Sequence, residues 1–373
     1  MEVNKDGFAI TQAPAISETR MWELLKEVYG ICNAKVVQLT GYDDLNFKLE
    51  NCEFDGRNEA LSHRGESRFI LKFTNPTEAR FPELLDAQTR LAKFLNQNGI
   101  ICAETLPTID GSLWKFVSMT ENVSLPIRLF DFLNGRMLEQ IGYTTEIYKL
   151  VGRFLARFHS LTENFEDPGF RNRQTFFSLE NLDVIETEFY LLIEKGQFPD
   201  KERIELCEKA FRDVREKVFQ MRGQFEQGLI HSDMNETNLL LEFNQNNNEY
   251  EIVGLLDFGD THYSCRIFDI ANAVLYLLLD VKTENYDLEF FQIGDYLIQG
   301  YKEVRNFSEK ELHFLSDCMR ARLALSLIFG IRTAFVNYRN VNAEYILKTQ
   351  SNGWKVLKLL TETNFETMKL SYR

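Results

Sequence analysis

Residues 229–270 read LIHSDMNETNLLLEFNQNNNEYEIVGLLDFGDTHYSCRIFDI, and the remainder of the chain is organised around them. Two apolar runs, 238–243 and 251–256, flank an asparagine-rich turn at 244–248, a pattern that predicts a β-hairpin. Such a hairpin brings Asn238, at one end, beside Asp257, at the other. Both carry the hard oxygen donors that magnesium prefers, which makes them candidate ligands of one Mg2+ ion.

Asp233 lies five residues before Asn238, the interval between catalytic aspartate and second metal ligand in kinases, and Asp257-Phe258-Gly259 supplies the D-F-G triplet. Alone, H-x-D-x-x-x-x-N is a weak signal, because common polar residues recur by chance. Followed by an apolar hairpin and D-F-G, it points to phosphoryl transfer; the plainer alternative is a polar turn with capping Asp and Asn residues. In the functional reading Asp233 orients an acceptor hydroxyl and takes its proton. His231 anchors the loop by a hydrogen bond and is not the base.

The 373 residues are enough for two domains or one large bilobed one, and 44% hydrophobic residues with seven prolines predict a packed core. The net charge of −14 argues against an extended nucleic-acid surface, which needs clustered Lys and Arg. Six cysteines, at 32, 52, 102, 207, 265 and 318, form no C-x-x-C pair, so neither a zinc knuckle nor a disulfide framework is expected. The first 30 residues carry no basic segment leading into an apolar core, and the longest apolar run, 323–331, is too short to span a membrane. A cytoplasmic protein without membrane or nucleic-acid partners is the expectation.

Along the chain, Ser17 caps a predicted helix over 18–29 with Met21, Leu24, Leu25 and Val28 on one face. Alternating segments at 35–39, 46–50 and 67–73 predict an antiparallel start. Between the first two lies Thr40-Gly41-Tyr42-Asp43-Asp44, where a kinase small lobe covers the nucleotide, with one glycine in place of G-x-G-x-x-G. Lys72 is centred in the hydrophobic strand Phe69-Ile70-Leu71-Lys72-Phe73; it either points to solvent from an edge or holds nucleotide phosphates and pairs with a helix carboxylate. A helix opened by Pro82 offers Asp86, and next Glu83, for that pair. Hairpin strands at 112–120 and 123–132 lead to a hinge in which Phe132 and Leu133 lie where backbone groups would read the nucleotide base.

After the hinge the pattern turns helical. Residues 143–159 carry one apolar face ending at His159, read as a buried, hydrogen-bonded residue. Helices follow at 179–195, 201–222 and 267–279, the last containing Asp269. Another begins at Ser308 with a capping box to Glu311 and runs past Arg320 and Arg322, with a break near Gly330, and a final helical pair spans 343–363.

What is missing around the motif restricts the acceptor. Asn235 stands where protein kinases carry a basic residue, and Ser232 replaces the Arg that pairs with a phosphorylated loop. The next helix begins only nine residues after Gly259, which leaves no room to present a peptide. The expected acceptor is therefore a small molecule, not a protein.

Residues 231–238, 255–260 and the helix from Phe268 resemble the aminoglycoside phosphotransferase and choline kinase superfamily. More specifically, 42–47, Asp257-Phe258-Gly259-Asp260-Thr261 with Tyr263-Ser264-Cys265, and Asn352-Gly353-Trp354-Lys355 resemble the hydroxylysine kinase family. The resemblance implies an α+β, protein-kinase-like bilobal fold, divided here as a nucleotide-binding lobe at 1–132 and a catalytic lobe at 133–373. It implies phosphorylation of 5-hydroxy-L-lysine, with GTP, or else ATP, as donor. Ser232 stands where Gly is common and therefore calls for a negative φ; Asp86 is one methylene shorter than the usual helix Glu. For a zwitterionic amino-acid acceptor, Arg320 and Arg322 are candidates for the carboxylate, Asp260 and Asp43 for the amines, and Tyr263 and Trp354 for the pocket wall. The alternatives are a choline, ethanolamine or other amino-alcohol kinase, and a catalytically silent nucleotide-binding scaffold.

Overall fold

A computed structural model describes residues 14–41, 44–171, 173, 175, 177–198, 200–336, 347–363, 365, 368, 370 and 371. Tyr42, Asp43 and the start of the expected final helical pair, 343–346, lie outside the described residues. The chain divides into two compact units. One is built from residues up to Gln97 with Cys102–Leu133, the other from Asn98–Ile101, Asn134–Phe335 and the chain from Leu347 onward.

In the first unit, Ser17 Oγ accepts from Arg20 N at 3.2 Å and starts the helix Glu18–Leu24, which continues as a wider turn over Leu25–Tyr29. The strands are β1 (Ile31–Leu39), β2 (Leu45–Phe54), β3 (Phe69–Phe73), β4 (Thr105–Leu106), β5 (Lys115–Thr120) and β6 (Val123–Asp131). They form one antiparallel sheet in the order β1-β2-β3-β6-β4, with β5 also on β6. Leu45, Phe47 and Leu49 of β2 and Phe69, Leu71 and Phe73 of β3 share a buried face with Met21, Leu24 and Val28. Alternation sends Lys72 to the other face, in register with Asn46 on one side and Arg128 on the other. Arg128 is buried there and donates to Gln88 Oε1 at 2.6 Å, which ties the helix Pro82–Gln97 to that face.

The second unit is mainly helical. Its strands are β7 (Arg136–Met137), β8 (Gln227–Ile230), β9 (Leu239–Asn244), β10 (Glu249–Leu255) and β11 (His262–Cys265); β9 and β10 are the expected hairpin, with β7 on its free edge, and β11 pairs with β8. Seven helices of 13 residues or more are described: Thr145–Leu161, Leu182–Glu194, Lys201–Asp213, Arg266–Asp280, Leu288–Val304, Leu315–Val336 and Lys348–Glu362. Thr145–Leu161 and Leu288–Val304 approach backbone to backbone. A Cβ at Gly152 would meet Leu297 O, and one at Gly300 would meet Lys149 O, each well inside van der Waals contact.

The helix expected from Ser308 is interrupted earlier than predicted. A short turn Glu309–Leu312 precedes Leu315–Val336, which then runs unbroken through Gly330. Glu311 does not close a capping box; its carboxylate accepts from Glu226 N at 2.6 Å, a bond to another element that sequence spacing cannot show.

Candidate active site

The helix Arg266–Asp280 is apolar and buried along most of its length, yet Asp269, Asn272 and Tyr276 interrupt it at intervals of three and four, a polar stripe on one face. An ionised carboxylate in such a place is costly unless hydrogen-bonded. Asp269, fully buried, accepts His231 N and Ser232 N at 2.8 Å each and a hydrogen bond from His159 Nε2 at 3.0 Å. Burial alone would raise its carboxyl; the His159 bond and the nearby His231 N–H outweigh this and hold it below the usual range. His159 Nδ1 is satisfied by Tyr301 OH at 2.9 Å, across the glycine-packed helix pair.

Above that buried acid, Ser232 has φ of 67°, a left-handed conformation. The negative φ expected there is not what the chain adopts. The positive φ lets two consecutive N–H groups, of His231 and Ser232, converge on one carboxylate, while Asn272 Nδ2 donates to Ser232 O at 2.9 Å. His231, also fully buried, bonds Leu256 O through Nε2 at 3.0 Å, and its Nδ1 accepts Asp233 N at 3.3 Å. The imidazole therefore ties the Asp233 loop to the strand end that precedes Asp257. Burial holds it neutral by lowering its pKa.

Asn238 Nδ2 donates to Asp233 O and to Asp233 Oδ2, both at 2.9 Å, and Asn235 Nδ2 donates to Asp233 Oδ1 at 3.0 Å. Leu256 N donates to Asn238 O at 2.9 Å, so the hairpin brings Asn238 to the residue preceding Asp257. Asp257 has φ of 56°, and its Oδ1 accepts Gly259 N at 2.9 Å. With its Nδ2 used on Asp233, Asn238 retains Oδ1 as a ligand atom. An amide oxygen beside a carboxylate is a donor set suited to a hard divalent cation.

Burial and the carboxylate of Asp260 push the Asp233 carboxyl well above its ordinary range; Arg322 opposes this, while Asp257 and Glu236 add to it. Asp260 accepts from Thr175 Oγ1, and Arg173 Nη2 donates to Gly259 O. Arg322, from the helix Leu315–Val336, donates to Phe177 O, to Tyr276 OH at 3.1 Å and to Ser232 O at 3.3 Å, and stands 4.0 Å from Asp233 Oδ1.

Other expected site residues are engaged elsewhere. Arg320 bonds Asp213, Asp317 and Leu360 O in a buried cluster of three helices. Tyr263 OH donates to Phe165 O at 2.6 Å and accepts Asp167 N at 3.0 Å, which makes it a loop anchor. Trp354 is buried against Phe198 and under Arg203, with Nε1 on Gln350.

Within the sheet unit, Lys72 Nζ pairs with Asp44 Oδ2 at 2.6 Å. The exposed Asp86 instead accepts Trp114 Nε1 at 2.7 Å. Asp44 Oδ1 also accepts Asn75 N at 2.7 Å. A Cβ added at Gly41 would stand 2.6 Å from Asp44 O. Lys48 Nζ and the Arg68 guanidinium each lie 4.8 Å from the ring centre of Phe132, and Leu133 follows it half-buried.

Asp269, Asp44 and the position of Arg322 beside Asp233 were not assigned from sequence. For Asp269 the signal was present: one carboxylate in Arg266-Ile267-Phe268-Asp269-Ile270-Ala271 demands a partner.

A D-F-G hairpin paired with an aspartate-asparagine loop defines a protein-kinase-like α+β fold, and the comparisons agree. Residues 53–307 match the phosphotransferase enzyme family, and the chain belongs to it. It is 26% identical over 377 residues to the hydroxylysine kinase of Bos taurus, covering 95% of this chain and 94% of that one. A microcompartment-associated aminopropanol kinase superimposes with a TM-score of 0.70 at 17% identity, covering 95% and 99% of the two chains. Amicoumacin kinase in complex with AMP-PNP, Ca2+ and Ami gives 0.69 at 18% identity, covering 95% and 97%. Among the described residues no helix is long and apolar enough to cross a membrane.

Proposed function

We propose that the protein transfers the γ-phosphate of GTP or ATP to the hydroxyl of 5-hydroxy-L-lysine with Mg2+ as cofactor. The observation that carries this reading is similarity to hydroxylysine kinase along 95% of the chain, which takes in Asp233, Asn238 and Asp257.

Asp233 would hold the acceptor hydroxyl and receive its proton as the oxygen attacks the γ-phosphorus and the bond to the nucleotide β-phosphate oxygen breaks. In a loose transition state that proton moves late, so positioning and charge supply most of the acceleration. Asn238 Oδ1 and Asp257 would hold Mg2+, which when bound neutralises charge on the phosphates. Lys72, steadied by Asp44, would hold the α- and β-phosphates; the turn at Gly41 and the backbone near Phe132 and Leu133 would cover phosphates and base. Asp260 is the acid nearest in sequence to the D-F-G triplet and would meet an acceptor ammonium. A small acceptor is also favoured by β11, which occupies 262–265, where a protein kinase presents its peptide.

A second reading, an amino-alcohol kinase, draws on the likeness to the aminopropanol kinase. A matrix of Mg-GTP and Mg-ATP against 5-hydroxylysine, lysine, choline and ethanolamine separates them. Turnover with choline or ethanolamine but not 5-hydroxylysine overturns the substrate assignment; no acceptor-dependent nucleotide consumption overturns the kinase reading and leaves a silent scaffold.

A further inference from the structure

We infer that Arg322 is a positioning residue for phosphoryl transfer, pinning the left-handed Ser232 turn and placing a fixed positive charge beside Asp233. The inference rests on the reading of Asp233 as the group that holds the acceptor hydroxyl.

Protein kinases supply a cation from the catalytic loop itself, two residues after the aspartate. Here that position is Asn235, whose amide donates to Asp233 Oδ1 and whose Oδ1 accepts Thr237 N and Asn238 N at 2.9 and 3.1 Å. The loop is braced by Asn235 but receives no charge from it. Arg322 brings one from a helix about ninety residues away. Its Nη2 reaches Ser232 O at 3.3 Å and Asp233 Oδ1 at 4.0 Å, adjacent residues of the loop.

Two rings and three acceptors fix the plane of Arg322 through its terminal nitrogens, while its Nε has no hydrogen-bond partner among the described residues. The guanidinium lies 4.9 Å from the Phe177 ring centre and 5.7 Å from that of Tyr276, Tyr276 OH takes Nη2, and Phe177 O takes Nη1. A planar, five-donor cation suits this fork geometry, whereas an ammonium does not. The side chain is only 1% exposed, so an acceptor carboxylate has no access to it, and the role first expected for Arg322 gives way to one exerted through the loop. A charge so deeply buried is retained only with compensation, and Asp233 and Asp260 are the carboxylates that offset it.

The test uses the full-length chain as Arg322→Gln, Arg322→Lys and Tyr276→Phe, with kcat, KM for acceptor and nucleotide, and Tm measured for each. Arg322→Gln is expected to lower kcat about tenfold or more while both KM values stay within about twofold, the signature of an interaction felt in the transition state. Arg322→Lys, which keeps charge without the fork, falls between it and wild type. Tyr276→Phe removes one bond to the guanidinium and lowers kcat by about two- to fivefold, which keeps the inference open to refutation should Arg322→Gln not fold. Wild-type kcat in folded Arg322→Lys and Tyr276→Phe overturns it, as does a rise in acceptor KM with kcat unchanged, which returns Arg322 to the acceptor carboxylate. Absence of turnover in the wild type would instead defeat the functional reading on which it stands.

Discussion

Ser232 N donates to Asp269 Oδ1 at 2.8 Å from a backbone whose φ is 67°. The same carboxylate takes His231 N on its other oxygen, so one buried acid fixes two successive peptide planes immediately before Asp233. Asp269→Ala leaves two N–H groups and His159 without this partner and is expected to cost about 3 kcal/mol, the usual scale for breaking buried hydrogen bonds to a charge. Urea unfolding checks this, and a loss below about 1 kcal/mol would show that the acid is dispensable.

At Ser232, substitution should follow backbone preference more than side-chain chemistry. Ser232→Gly relieves the Cβ strain of the left-handed region, about 1 kcal/mol, which the greater freedom of glycine in the unfolded chain largely offsets, so stability should change by less than about 1 kcal/mol and kcat should stay within about twofold of wild type. Ser232→Val adds a β-branch where positive φ is least tolerated and should lose about 2 kcal/mol or more. Equal behaviour of the two variants in denaturant and in kinetics would contradict the geometry.

Asp233→Asn keeps most of the loop's bracing: Asn235 Nδ2 can still donate to the one side-chain oxygen and Asn238 Nδ2 to the main-chain oxygen of residue 233, while the bond from Asn238 to the second carboxylate oxygen is lost. It is expected to lower kcat by about two to four orders of magnitude, the range for removing a proton acceptor, with nucleotide affinity nearly unchanged. Calorimetric titration of nucleotide beside steady-state rates makes the comparison, and unaltered turnover would remove Asp233 from the mechanism.

His159, His231 and His262 are 0%, 0% and 2% exposed, and burial lowers the pKa of all three. Their folded pKa values lie below the ordinary 6.5 of the unfolded chain, so below that pH the unfolded state binds more protons. Stability is then full above pH 6.5 and falls as pH drops, by up to about 1.4 kcal/mol per pH unit for each histidine. Asp269, with its lowered pKa, adds a further loss at lower pH. A Tm that holds steady from pH 7 to 5 would refute this.

Lys348 Nζ meets Glu139 at 2.9 Å, Glu236 at 3.1 Å and Asp280 at 3.7 Å, and Glu236 belongs to the loop between Asp233 and Asn238. Lys348→Met leaves three carboxylates facing one another. Because solvent reaches Lys348, the expected loss is about 1–2 kcal/mol at pH 7, and it should shrink as pH falls and Glu236, whose carboxyl is raised by burial, takes up its proton. A loss that does not change with pH would mean that Lys348 acts through packing.

The hairpin, the D-F-G turn and the aspartate-asparagine interval were legible because each is local: alternation and short spacing determine them. Partners that come from afar were not. Lys72 meets Asp44 because strand register sets Asn46 beside Lys72, whereas the reading from sequence looked ahead to Asp86, which Trp114 takes up. Arg320 and Arg322 differ by two positions, yet helical rotation sends one to Asp213 and the other to Ser232 and Asp233. The sign of φ at Ser232 depends on Asp269, 37 residues onward, and no propensity of serine contains that information.

Gly152 and Gly300 hold no phosphate and give no proton. Yet the helices they allow to touch are those that set His159 against Tyr301, and His159 is what Asp269 leans on beneath the loop. A methyl group added at either glycine would force the two backbones apart and His159 away from Tyr301, so stability and turnover are expected to fall together. Two residues with no chemistry of their own thus hold a veto over the reaction, and a search for inactive variants should find them as readily as it finds the acids.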